Sequence, residues 1–211
     1  MELQELFVEQ LNENYNFPVF YYKFNNNQFY FKAISLEIGK INFVIGNKKS
    51  GKSLFLKSMC GLESPIEKSL NKSFLNYDIV YKPENIKLNK NYASMLLKDY
   101  LILKEINNYK LFDFTEYLNI KLKNIPEEQK QILGFLLSLN TEGLIYIIDV
   151  ELCNVSNENR KKMWDIIRIF CEKNDKIGIV VEETDEFKMS NDGIYKIEKF
   201  DNNDYYGQQF I

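Results

Sequence analysis

Gly46, Asn47, Lys48, Lys49, Ser50, Gly51, Lys52 and Ser53 form the part of this chain whose residue types and spacing most plainly imply chemistry. Their order fits the pattern G-x-x-x-x-G-K-[ST], which cradles phosphate groups. A tight turn ending on a helix start aims several backbone N–H groups at one anion. In that pattern Lys52 reaches the outer phosphates of a nucleoside triphosphate, and the Ser53 hydroxyl sits on Mg²⁺.

Asp149 is the second such residue. It closes the apolar run Leu144, Ile145, Tyr146, Ile147, Ile148. A carboxylate at the C-terminal end of a buried strand, beside a phosphate loop, can hold Mg²⁺ through water or through Ser53. Many strands end in Asp simply as a turn residue, so the pairing with the loop is what gives Asp149 weight.

These residues need elements to position them. The run at 41–45 reads as the strand before the loop, and 53–60 as the helix after it. Gly61 and Pro65 mark the end of that helix. Residues 2–12 read as a short amphipathic helix. Residues 17–24 and 28–38 read as strands separated by the turn-forming Asn25, Asn26 and Asn27. A strand is expected at 74–81. Residues 92–122 read as mostly helical, from apolar residues at mixed three- and four-residue spacings. Residues 129–140 continue as an apolar helix, 144–148 as a buried strand and 159–173 as a helix containing Trp164. Residues 177–181 read as another buried strand, and short strands surround 194–197. Strands alternating with helices indicate an α/β fold around a largely parallel sheet.

Composition narrows the function. A chain of 211 residues suits one large domain. The net charge of −3 implies no general attraction to nucleic acid. Arginine appears only as Arg160 and Arg168, so few bidentate phosphate clamps can be built. The absence of histidine excludes His-dependent catalysis and His-ligated metals. Cys60, Cys153 and Cys171 lack metal spacing and suggest free thiols in a reducing compartment. The expected location is therefore cytoplasmic. Residues 1–11 do not read as a signal peptide. No apolar run approaches the ~20 residues of a membrane span. Work at a membrane, on its inner face, would need another chain as anchor.

The segment Ile34-Ser35-Leu36-Glu37-Ile38-Gly39-Lys40 through Gly61-Leu62-Glu63-Ser64-Pro65 resembles the first half of an ATP-binding cassette (ABC) ATPase, a P-loop NTPase. The later motif order is similar too, so the resemblance covers roughly residues 17–200. Ile125-Pro126-Glu127-Glu128-Gln129-Lys130-Gln131 falls where that family carries Leu-Ser-Gly-Gly-Gln, and only a glutamine remains. Glu84 falls at the Q-loop glutamine, and Glu183 at the switch histidine. Val150 replaces the glutamate that orients the attacking water. Lys48 and Lys49 stand where the family prefers Asn-Gly, and Leu54 replaces a threonine that touches the α-phosphate. Phe24 or Tyr22 resembles the adenine-stacking aromatic, and either is equally a strand-packing residue.

The resemblance implies an α/β P-loop domain of ABC type. Its sheet would be largely parallel, with an N-terminal antiparallel β part and a short inserted helical subdomain. Residues 1–211 would form one nucleotide-binding domain, with its core at 17–90 and 140–200 and the helical part at 91–139. ATP and Mg²⁺ are the implied cofactors, the metal held by Ser53, Asp149 and Glu84. Glu151 and Glu183 are the remaining candidates for catalysis. Glu151 serves only if the chain turns sharply after Asp149, and Glu183 is as readily part of a solvated acidic loop with Glu182, Asp185 and Glu186. Pro126 lacks an N–H, while Glu127 and Glu128 would repel a triphosphate held by an opposite subunit. The same residues also read as a well-capped helix start.

The expected function is an ATP-binding subunit of an ABC transporter, weak or inactive in hydrolysis by itself. Its partner would be an intact ABC ATPase or a membrane permease, with a homodimer as another arrangement. The alternative is a non-transporter ABC-like pseudo-ATPase acting as an interaction module. A phosphoryl-transfer kinase would need lid arginines, which one late helix cannot supply. A GTPase reading fails because Asn89-Lys90-Asn91-Tyr92 lacks the final Asp of the guanine motif.

Overall fold

The computed structural model describes residues 15–17, 20–24, 27–32, 34–62, 78–82, 90–150, 154–201 and 204–210. The helix expected at 2–12 lies outside them.

Ten strands are present among the described residues. They are β1 (Tyr15–Phe17), β2 (Phe20–Phe24), β3 (Asn27–Phe31), β4 (Ile34–Leu36), β5 (Ile41–Ile45), β6 (Ile79–Lys82), β7 (Ile145–Ile148), β8 (Ile177–Glu182), β9 (Gly193–Asp201) and β10 (Asp204–Phe210). β1 and β4 pair antiparallel as a small separate sheet. The other eight form one sheet in the order β2-β3-β10-β9-β5-β8-β7-β6. From β9 through β6 every pairing is parallel. The hairpins β2-β3 and β9-β10 add the antiparallel part. The helices are α1 (Lys52–Met59), α2 (Leu97–Leu103), α3 (Glu127–Leu139) and α4 (Asn157–Asn174).

Central parallel strands are covered on both faces, so they read as unbroken apolar runs. All five residues of β5, all four of β7 and all six of β8 are buried. Strand alternation divides them between two layers. Ile145, Ile147, Ile177, Ile179 and Val181 pack with Phe55, Leu56 and Met59 of α1. Tyr146, Ile148 and Val180 join the opposite cluster, with Leu133 and Leu136 of α3 and Trp164 and Ile167 of α4. Leu97, Leu101, Phe112, Phe114 and Leu122 belong to that second cluster as well.

Residues 92–122 are less helical than their spacing suggests. Only α2 is α-helical; single 3₁₀ turns follow at Asn108–Leu111, Thr115–Tyr117 and Leu122–Asn124. α2 stops where Glu105 takes a left-handed φ of 54°. There the Ile106 N–H returns to the Leu101 carbonyl at 2.9 Å and the Glu105 N–H to Ile102 at 3.1 Å. This closes the helix by a Schellman pattern. Beyond it, Asn107, Asn108, Asp113, Asn119 and Asn124 recur, and short polar side chains compete with helical backbone bonding. The apolar residues between them are held by the core rather than by a helix period.

Candidate functional site

The phosphate-loop pattern lies at the C-terminal end of β5, in the middle of the parallel region, and runs directly into α1. The Ser50 N–H closes a turn on the Asn47 carbonyl at 3.1 Å. Within that turn Lys49 adopts φ 65°, the left-handed region that glycine occupies at least cost. The substituted position thus keeps a glycine-like backbone and carries a lysine on it. Gly46 and Gly51 cannot be replaced so simply. A Cβ on Gly46 would lie 2.5 Å from the Ile197 carbonyl oxygen of β9 and 2.7 Å from Ser50 Oγ. A Cβ on Gly51, at φ 97°, would lie 2.7 Å from the Phe29 ring.

Lys52, the first residue of α1, curls over the loop. Its Nζ donates to the Gly46 carbonyl at 2.6 Å and the Asn47 carbonyl at 3.0 Å. Ser53 and Leu54 follow in the first turn of α1, both half-buried. That turn contains no acidic residue, so nothing on it opposes an anion. Ser50 Oγ is buried and has no hydrogen-bond partner. An orphaned hydroxyl inside a glycine-walled turn, with a lysine ammonium above it, fits a phosphate group.

Asp149 follows β7 at the same end of the sheet, two strands from β5. It continues the alternation of Ile145 and Ile147, so its carboxylate belongs to the face that carries α1. The Tyr81 hydroxyl donates to its Oδ2 at 3.2 Å. Cys60, just past α1, confirms the facing: its thiol is pushed up to about 12 by burial and, secondly, by the negative charge of Asp149. The helix that follows the loop and the Asp149 carboxylate therefore lie on the same face of the sheet. An oxygen-rich, histidine-free donor set suits a hard cation such as Mg²⁺.

Val150 points the other way. Its side chain is 2% exposed and belongs to the cluster of α3 and α4. Glu151 and Glu84 lie outside the described residues. Phe24 ends β2, opposite Asn27 on the edge of the sheet. Among the described side chains, Phe29 and Phe31 approach Gly51 of the loop, and Phe29 stacks on Tyr205 with ring centroids 4.9 Å apart.

Glu183 is exposed, one residue past β8. Its neighbour Glu182 pairs with Ile45 in the β5–β8 ladder and turns toward α4. Arg160 Nη1 donates to Glu182 Oε2 at 2.5 Å, and Trp164 Nε1 to Oε1 at 2.7 Å. Burial raises the Glu182 carboxyl above its ordinary range, opposed by the Trp164 hydrogen bond and by the Arg160 charge. Glu182 is thus a structural carboxylate and not part of a uniform solvated acidic run.

The segment before α3 is a helix start without a side-chain cap: Asn124 belongs to the preceding 3₁₀ turn, and the first-turn Glu127 and Glu128 are what favour the helix here. Pro126 is the N-cap residue, and Glu127 pairs with Lys130 at 3.2 Å. Glu128 Oε1 accepts from the Ser156 N–H at 2.9 Å, Ser156 Oγ at 2.7 Å and Asn159 Nδ2 at 2.8 Å. Burial raises the Glu128 carboxyl, but these bonds together outweigh it and leave the group below the usual carboxylate range.

The sequence reading also missed Lys82. Its Nζ reaches Gln131 Oε1 of α3 at 2.6 Å and the Asp149 carbonyl at 2.9 Å, and all three residues are buried. No local pattern marks a lysine that ends a strand facing inward.

Sheet order and loop together define a P-loop α/β domain. No protein-family model matches the sequence, and no curated protein matches it. Solved structures do match. The archaeal ribosome recycling factor aABCE1, in complex with the ribosomal stalk protein aP1, superposes with a TM-score of 0.75 at 20% identity. That match covers 92% of this chain and 39% of the other. An RNase-L inhibitor gives the same TM-score, identity and coverage. The chain thus spans about two fifths of the length of these two proteins. The ATP-binding subunit of an ABC transporter gives 0.63 at 15% identity, covering 84% of each chain. The fold is that of ABC-type nucleotide-binding domains, with a mixed, mostly parallel sheet.

Proposed function

We propose that this chain is an ATP-binding subunit similar to the nucleotide-binding domain of an ABC transporter, and that it holds Mg-ATP through residues 46–53 and Asp149. The loop carries this reading: Gly46 and Gly51 leave no room for a Cβ, Lys49 takes a left-handed backbone, and Ser50 Oγ is buried without a partner. When bound, Mg²⁺ would neutralise phosphate charge; Ser53 and Asp149 are the described residues that would hold it. Lys52 would exchange its two loop carbonyls for phosphate oxygens.

Hydrolysis by the isolated chain is expected to be weak. Val150 is turned into the core, Glu183 stands in place of a histidine, and Pro126 offers no N–H. Glu151 and Glu183 remain the candidates for residual catalysis. A chain of this kind works in an assembly, with an intact ABC ATPase or a permease as partner, because its own α3 start is a poor donor to a triphosphate in trans.

The second reading is a non-transporter pseudo-ATPase acting as an interaction module. It is suggested by the similarity to aABCE1, which is described as a ribosome recycling factor.

Titration of a fluorescent ATP analogue into wild type and Lys52→Ala tests the binding claim. Saturable, Mg²⁺-dependent binding that Lys52→Ala abolishes is expected. Equal binding by both chains would reject the loop as the site. Copurification from the native host separates the two readings by showing which partner is captured.

A further inference from the structure

We infer that Tyr81 and Lys82 are positioning residues that clamp Asp149 at three points and set its carboxylate for a divalent cation. This rests on the nucleotide-binding reading above. The Asp149 N–H donates to the Lys82 carbonyl at 2.9 Å, continuing the β6–β7 ladder. Lys82 Nζ donates back to the Asp149 carbonyl at 2.9 Å, and the Tyr81 hydroxyl holds Oδ2 at 3.2 Å. Two consecutive residues of β6 thus grip the amide, the carbonyl and the carboxylate of one residue.

Strand alternation makes this possible. Tyr81 faces the α1 layer, where the Asp149 side chain lies, while Lys82 faces the α3 layer. An ionised carboxylate offers about four acceptor positions. Engaging one with a phenol hydroxyl restricts rotation of the group. Outer groups that orient a ligand in this way typically govern metal affinity.

Lys82 adds a second connection. It is 3% exposed, and an ammonium is tolerated at that depth only when its donors are satisfied. One of its acceptors, Gln131, lies in α3, four residues after Glu127 begins that helix. Movement of α3 against the sheet would pull on the residue that carries the metal carboxylate.

The test uses Mn²⁺ as a paramagnetic probe, titrated into the full chain saturated with a non-hydrolysable ATP analogue and read by electron paramagnetic resonance. Tyr81→Phe keeps the ring and removes only the hydroxyl. It is expected to weaken Mn²⁺ binding about tenfold, with analogue affinity in EDTA and the melting temperature unchanged. Lys82→Met should weaken Mn²⁺ in the same direction; if that chain does not fold, Tyr81→Phe decides. Unchanged Mn²⁺ affinity in Tyr81→Phe overturns the clamp while leaving nucleotide binding intact. A wild type with no saturable analogue binding overturns the nucleotide reading and the clamp with it.

Discussion

Trp164 donates its indole N–H to Glu182 at 2.7 Å, in the buried layer between α4 and β8, while Arg160 grips the other oxygen of the same carboxylate. The Glu182 side chain is 2% exposed and that of Arg160 13%. Removing one partner of such a pair leaves a charge buried without compensation. Arg160→Met is expected to lower stability by about 3 kcal/mol, or roughly 6–12 °C in Tm for a chain of this size. Glu182→Gln added to Arg160→Met should recover part of the loss, because the amide removes the stranded charge and keeps an acceptor for Trp164. The pH dependence has a definite sign. A carboxyl raised by burial favours the folded state most when protonated, below its unfolded value, and loses that advantage as pH rises through the folded value. The deficit of Arg160→Met should therefore shrink toward acid. Thermal melts of the single and double variants across pH check both points.

Lys49 holds a backbone conformation that disfavours side chains. A left-handed residue other than glycine costs about 1–2 kcal/mol, while glycine loosens the unfolded chain by about 0.4–1 kcal/mol. The balance predicts that Lys49→Gly stabilises the protein by about 0.5–1 kcal/mol. Calorimetry should show a Tm increase of roughly 1–4 °C. ATP-analogue affinity at low salt should fall at the same time, since a cation is lost beside the phosphate site.

Val150→Glu should not create an ATPase. A glutamate at this position would replace a valine side chain that is 2% exposed among apolar residues. Burying the new carboxylate is expected to destabilise the chain by on the order of 3 kcal/mol. Phosphate release by the wild-type chain should stay well below about 1 s⁻¹, the lower edge of ordinary enzyme turnover. The variant should be no faster and should melt earlier. A rate gain with an unchanged Tm would show that residue 150 can face the nucleotide.

Much of this was legible because it is local. The residues from Gly46 to Ser53 determine their own turn, and the run ending in Asp149 determines its own strand. Strand alternation also decides which of Glu182 and Glu183 turns inward, once the end of β8 is known. Three features were not legible, and each depends on partners distant in sequence. Lys82 needs the β6–β7 register and the packing of α3. Glu128 needs the start of α4, and Phe29 needs a hairpin laid behind Gly51. The stretch at 92–122 misled for another reason. Its mixed apolar spacing suits a 3₁₀ turn as well as an α-helix, and the Asn and Asp residues between decide the matter.

Glu128 provides a test of the α3 start as a built joint. One carboxylate oxygen accepts three hydrogen bonds from Ser156 and Asn159 at the head of α4. Hydrogen bonds to a charged acceptor contribute about 1.5–3 kcal/mol. Partial solvation of Glu128 reduces this, and Glu128→Ala is expected to cost about 1 kcal/mol. Because the folded carboxyl titrates below its ordinary value, its contribution is fully present above the unfolded pKa of about 4.3. It is lost as pH falls through the lowered folded value. The Tm gap between wild type and Glu128→Ala should thus be constant near neutrality and close as pH falls through that lowered value. A gap that persists at lower pH would mean that side-chain packing, and not the charge, joins α3 to α4. If Glu128 instead faced a nucleotide on a second subunit, its removal would strengthen Mg-ATP-driven association. Light scattering of Glu128→Ala with and without Mg-ATP decides between these roles, and the internal joint predicts no change in association.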